Sequence, residues 1–122
     1  MDHNTLTIVQ MNDSHAYMDL HTELFWEHGK TVYRPAGGYA RVAAVLKQIR
    51  AENPGRVIFL DGGDTFQGTY PAYQTNGEAL VSVMNALAPA AMTAHWEFAY
   101  TPQGFLALAR RLSYPMLAMN IY

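Results

Sequence analysis

RVIFLDGGDTFQGT, Arg56 to Thr69, is the stretch on which the fold turns. Val57 to Leu60 are four consecutive apolar residues, two of them β-branched, and such a run reads as a strand buried on both faces. It runs directly into Asp61, Gly62, Gly63 and Asp64. A buried strand cannot carry two carboxylates onward, so the strand stops there and the glycines let the backbone turn. The carboxylates are then delivered at the strand's carboxyl end, where open α/β sheets place their ligands. Asp and Gly also favour ordinary solvated turns, and on this stretch alone both readings stand.

Outward from it, 122 residues suffice for one compact domain. Half are hydrophobic and 15% are charged, the balance of a folded globular chain. A net charge of -2 argues against a nucleic-acid surface or a basic membrane patch. There is no cysteine, so disulfides, iron–sulfur clusters and thiolate zinc sites are excluded. No apolar run is long enough for a membrane span. The leading MDHNTLTIVQ lacks the basic-then-apolar pattern of a signal peptide, so the chain as it stands is expected in the cytoplasm.

Leu6 to Met11, rich in β-branched residues, reads as a first strand ending in Asn12, Asp13, Ser14 and His15. In extended chain Asp13 and His15 would share one side and could chelate a cation. Thr22–Glu27 and Thr31–Arg34 read as a hairpin turning at His28-Gly29, an insert whose role the sequence leaves open. His3, His21 and His28 are expected to be exposed. Gly37-Gly38 opens a helix with Val42, Val45, Leu46 and Ile49 on its inner face, and Asn53-Pro54-Gly55 ends it. After the Val57–Leu60 strand, Thr65 to Thr75 reads as loop. A second helix from Asn76 or Gly77 carries Leu80, Val83, Met84 and Leu87. Ala90 to Thr93 is a third strand, delivering Ala94, His95, Trp96 and Glu97. Thr101-Pro102 starts a third helix with Phe105, Leu108, Ala109 and Leu112 inside and Arg110 and Arg111 in its last turn. Met116 to Met119 is a fourth strand.

This order predicts an α/β fold, a mostly parallel sheet with right-handed crossovers and flanking helices. Each of the first three strands ends in candidate ligands: Asp13 and His15, Asp61 and Asp64, His95 and Glu97. Three loops converging on one sheet edge favour a metal site over three solvated turns. Carboxylate and imidazole without sulfur suit manganese, zinc, iron, cobalt or nickel. Asp64 is placed to bridge two metals, which together can activate water and clamp a tetrahedral transition state. Asp61 is read as holding the turn, and Glu97 as a carboxylate orienting an imidazole.

D-S-H after the first strand, FLDGGDTFQGT after the second and H-W-E-F-A-Y after the third resemble the calcineurin-like metallophosphoesterases, and most closely their 5′-nucleotidase branch. The resemblance covers nearly the whole chain. It implies the amino-terminal part of a catalytic domain (residues 1–122) within an αββα sandwich, with divalent metal ions, two in the intact enzyme. Asp13 and His15 would hold the first metal and Asp64 would bridge. The family's G-N-H-E departs here to Ala94-His95-Trp96-Glu97, so His95 takes the position of the family's Asn ligand and Trp96 that of its catalytic His. The Asp that orients that His in the family is Ala99. Trp96 cannot carry a proton between groups; it offers one N–H and an aromatic face. The H-W-E-F form resembles the SoxB-like thiosulfohydrolase branch.

The resemblance therefore implies a metal-dependent hydrolase of phosphate esters such as nucleotides, its dinuclear site completed beyond this chain by a further His and a G-H-x-H segment. Two alternatives stand beside it: a thiosulfohydrolase acting on a sulfur-linked substrate, with Trp96 shaping the pocket, and a non-catalytic metal-binding fragment. The catalytic residue stays unassigned. Relatives are often periplasmic. An uncovered sheet edge is a further expected feature, where self-association could occur.

Overall fold

The computed structural model describes residues 5–119. Four parallel strands form the main sheet in the order β1 (Thr7–Met11), β4 (Val57–Asp61), β5 (Ala91–Thr93) and β6 (Met116–Leu117). Between β1 and the first helix a separate antiparallel hairpin is made of β2 (His21–Glu27) and β3 (Lys30–Ala36), turning at His28-Gly29. The helices are α1 (Tyr39–Glu52), α2 (Tyr70–Gln74), α3 (Val81–Leu87) and α4 (Thr101–Ala109), with 3₁₀ turns at Glu78–Leu80 and Trp96–Tyr100.

Strand pairing explains which residues are buried. Partners across a parallel ladder share a face, so Val9, Phe59, Met11, Asp61, Met92 and Met116 line up on one side. That side carries the core, where Leu46 of α1, Met84 and Leu87 of α3 and Leu108 of α4 pack with Phe59 and Met92. The other side carries Ile8, Gln10, Leu60, Ala91 and Leu117 and contributes none of the buried core residues. Ile8 is 64% exposed. The expectation that Val57 to Leu60 is buried on both faces is thus corrected: among the described residues the helical cover lies on one face only, and β1 forms an open edge of the sheet.

Helix boundaries follow local chemistry. Asn53 closes α1, its backbone N–H and side-chain amide both donating to the Ile49 carbonyl at 3.0 Å. The Thr101 hydroxyl accepts the Gly104 N–H at 3.2 Å, the bond expected of a helix-capping threonine. Arg110 and Arg111 lie just past the last residue of α4 rather than within it, and Arg111 pairs with Glu78.

Four further expectations need adjusting. Thr65 to Thr75 contains α2, because Pro71 sits in its first turn and Tyr73 and Thr75 bond back to Thr69 and Pro71. Val45 is exposed, the inner face of α1 being held by Val42 and Leu46. The last strand is two residues long, Met116–Leu117. His21 is half-buried, stacked on Tyr17 at 4.3 Å with Nε2 2.7 Å from Glu23 Oε1, whereas His28 is exposed as read; His3 lies outside the described residues.

Candidate metal centre

The loops after β1, β4 and β5 meet at the carboxyl end of the sheet. Backbone bonds lock the first two: Asp13 N–H donates to the Gly63 carbonyl at 2.9 Å and His15 N–H to the Asp64 carbonyl at 2.8 Å. Asp13, His15 and Asp64 all have positive φ, at 53°, 47° and 57°. The first loop is therefore curled, and the expectation of an extended Asp13–His15 pair is corrected: the fold brings the two side chains together through left-handed backbone, a conformation costly for residues other than glycine.

Two glycines permit this closeness. A Cβ on Gly63 would stand 2.6 Å from the Thr93 carbonyl oxygen and 2.9 Å from the His95 nitrogen. A Cβ on Gly68 would stand 2.7 Å from both the Cβ and the carbonyl oxygen of His15. Neither approach is possible with a side chain, and both residues have positive φ.

Within this frame Asp13, Asp64 and His95 each present one ligand atom within 4.8 Å of the others. His15 Nε2 lies 3.9 Å from both Asp13 Oδ1 and Asp64 Oδ2. The donor set, a close Asp13–Asp64–His95 group with the His15 imidazole beside its two carboxylates, has the chemistry that suits a divalent transition cation. Asp64 is central. Its Oδ2 lies 2.7 Å from His95 Nδ1, and its Oδ1 accepts the Gln67 side-chain amide at 2.7 Å and the Trp96 backbone N–H at 3.1 Å. Burial pushes its carboxyl up, but the bonds with His95, Gln67 and Trp96 outweigh burial and hold it below the usual carboxylate range. The hydrogen bond to Asp64 raises the His95 imidazole above its ordinary range.

Glu97 plays a different part from the one read in the sequence. It is fully buried, and its Oε1 accepts the backbone N–H of Thr65 at 2.7 Å and of Phe66 at 3.4 Å, while Oε2 accepts the His95 backbone N–H at 2.7 Å. It orients backbone rather than an imidazole, tying the Asp64 loop to the His95 loop. Asp61 holds its turn, accepting the Gly63 N–H at 3.0 Å and the Thr65 hydroxyl at 2.8 Å, and burial raises its carboxyl. Thr65 Oγ1 continues to Ser14 Oγ at 3.3 Å, and Ser14 to the buried Tyr39 hydroxyl at 2.6 Å.

The Trp96 indole is 63% exposed and stands edge-on to the His95 ring, so its contact with Asp64 is through backbone. Gln67 was not singled out by the sequence reading. Its amide nitrogen touches both Asp64 Oδ1 and His15 Nδ1, the latter at 3.1 Å. Its position three residues after Asp64 and directly before Gly68 was the available signal.

Sequence comparison now bears on this geometry. A 5′-nucleotidase of Bos taurus is 35% identical over 120 residues, which cover 95% of this chain and 20% of the relative. The NAD nucleotidase of Haemophilus influenzae superposes with a TM-score of 0.84 at 30% identity, over 94% of this chain and 20% of that one. The chain is related to the amino-terminal part of the 5′-nucleotidase, calcineurin-like family. It spans about a fifth of the length of the curated relatives it matches. The sulfate thiohydrolase SoxB of Thermus thermophilus shares the fold, with a TM-score of 0.78 at 19% identity over 97% of this chain and 31% of that one. No family model matches the chain. Among the described residues no helix is long and apolar enough to cross a membrane.

Proposed function

We propose that this chain is the amino-terminal, metal-binding part of a hydrolytic domain that cleaves phosphate esters, of the 5′-nucleotidase type. The observation that carries this reading is the convergence of Asp13, His15, Asp64 and His95 from three loops at one end of a parallel sheet. These four residues would hold the metal, with Asp64 positioned to bridge to a second ion whose remaining ligands lie outside this chain. A divalent ion bound there supplies Lewis acidity toward the ester oxygens and lowers the pKa of bound water. The chain's own residues do the rest. Gln67 holds Asp64 and His15 in register, and Glu97 fixes the loop carrying His95. The open edge of β1 is the place where self-association would occur.

Position 96 favours a second reading. An exposed indole stands where the resembled family has an ionisable imidazole, and Ala99 removes the carboxylate that would orient one. That pair suits a sulfur-linked ester whose leaving group needs no proton from this position. Metal analysis of the whole protein, followed by parallel turnover of a phosphate monoester and a thiosulfonate, decides between them. Stoichiometric metal with phosphate-ester turnover supports the main reading. Turnover of the thiosulfonate alone supports the second. A protein that binds metal but turns over neither substrate is the non-catalytic metal-binding fragment, and a protein that binds no metal contradicts all three readings.

A further inference from the structure

Beside the metal centre lies a hollow of about 380 Å³ lined by Gln67, Thr69, Tyr70, Tyr73, Ala99 and Tyr100. That volume lies within the range of small-molecule sites. Single exposed aromatics are ordinary on protein surfaces, but here three phenol rings share one depression. Tyr70 and Tyr73 are three residues apart on α2, so they rise from neighbouring positions on its surface, and they are 74% and 71% exposed. Tyr100 is fixed from behind, its hydroxyl donating to the Phe66 carbonyl at 3.0 Å.

Two properties select the ligand. None of the side chains lining the hollow is charged, which suits a neutral group. Three aromatic faces with polar rims suit a flat ring better than an aliphatic chain, since stacked or edge-on rings gain beyond their buried area. The hollow is also joined to the metal centre, because Gln67, which lines it, touches Asp64 and His15. A ligand with a ring in the hollow would therefore carry its reacting ester toward the candidate metal.

We propose that Tyr70, Tyr73 and Tyr100 form a subsite for the neutral aromatic ring of an ester substrate. The proposal rests on the hydrolase reading above. The test uses the whole protein loaded with manganese and two phosphate monoesters, 2-phenylethyl phosphate and n-butyl phosphate. Both release a primary alcohol, so leaving-group chemistry does not separate them. The expected result is a kcat/KM about tenfold higher for the phenylethyl ester, in line with the stacking energy of one or two rings. In the double variant Tyr70→Ala/Tyr73→Ala that ratio should fall to about one, and in Tyr70→Phe/Tyr73→Phe it should persist. A ratio near one in the unaltered protein, or a ratio that survives the alanine pair, overturns the subsite. Turnover of neither ester means that the phosphate-ester reading has failed. The subsite is then decided by saturation-transfer NMR with 2-phenylethanol. Transfer to the phenyl protons that disappears in the alanine pair supports it, and an absence of transfer from the unaltered protein overturns it.

Discussion

The β2–β3 hairpin and the loops at the end of the main sheet are built on opposite terms. The hairpin is regular: seven paired positions, a two-residue turn, and one face on which Glu27 pairs with Arg34 and Arg34 lies 4.1 Å over the Phe25 ring. Its other face leaves Leu24, Trp26 and Tyr33 exposed, and no hairpin residue belongs to the buried core. The loops are irregular, with positive φ at Asp13, His15 and Asp64, yet they are knit by backbone bonds and by the buried carboxylates of Asp61 and Glu97. Regular pairing is cheap to form and peripheral. The strained loops hold their shape because the rest of the domain over-determines them, as strained functional sites require.

The largest effect on this contrast is expected at Glu97. Glu97→Ala leaves the buried backbone N–H groups of Thr65 and Phe66, and the part-buried one of His95, without their acceptor. Each buried unsatisfied donor costs about 1–3 kcal/mol, so with two of them denaturant unfolding should show a loss of roughly 2–6 kcal/mol. Next comes Gly68→Ala, whose new Cβ would meet His15 at 2.7 Å in positive-φ backbone. A loss of about 1–3 kcal/mol is expected in the same assay, with weakened metal binding because His15 must move.

A third effect depends on pH. Burial raises the folded-state pKa of Asp61 above its unfolded value. The folded state then binds the proton more tightly than the unfolded state, so this group's contribution makes stability fall as pH rises from the ordinary aspartate pKa through the raised one. Asp61→Asn should flatten that segment of the stability–pH curve. Burial likewise pushes the Tyr39 hydroxyl up to about 12, so ultraviolet titration should leave Tyr39 neutral until the fold opens. The smallest effect is on the hairpin: Trp26, 72% exposed, should be replaceable by alanine within about 0.5 kcal/mol. A larger loss there would break the contrast.

The two regions were also unequally legible. The hairpin could be read from aromatic and β-branched runs around His28-Gly29, because its register is set by local rules. The sheet order and the strand-end loops followed from buried runs that stop at Asp and Gly. The conformation of those loops was not legible. Positive φ at Asp13 and His15 is imposed by contacts from Gly63 and Asp64, more than forty residues away, as the Asp13–Gly63 and His15–Asp64 bonds show. The part of Glu97 was misread for the same reason: its partners are backbone amides, which a sequence does not display. The sheet face around Ile8 and Leu117, which has no helical cover among the described residues, could not be told from a covered one, since an apolar strand looks the same whether or not a layer packs on it.

The central claim is that Asp13, His15, Asp64 and His95 together bind a divalent cation. Cobalt(II) titration of the whole protein, followed by d–d absorption, tests it most directly. The account predicts saturable binding that weakens by about 10- to 100-fold in Asp64→Asn and more modestly in His95→Ala, and is unchanged in His21→Ala, whose ring is engaged with Tyr17 and Glu23. Cobalt spectra and affinities in Asp64→Asn and His95→Ala indistinguishable from the unaltered protein would contradict it.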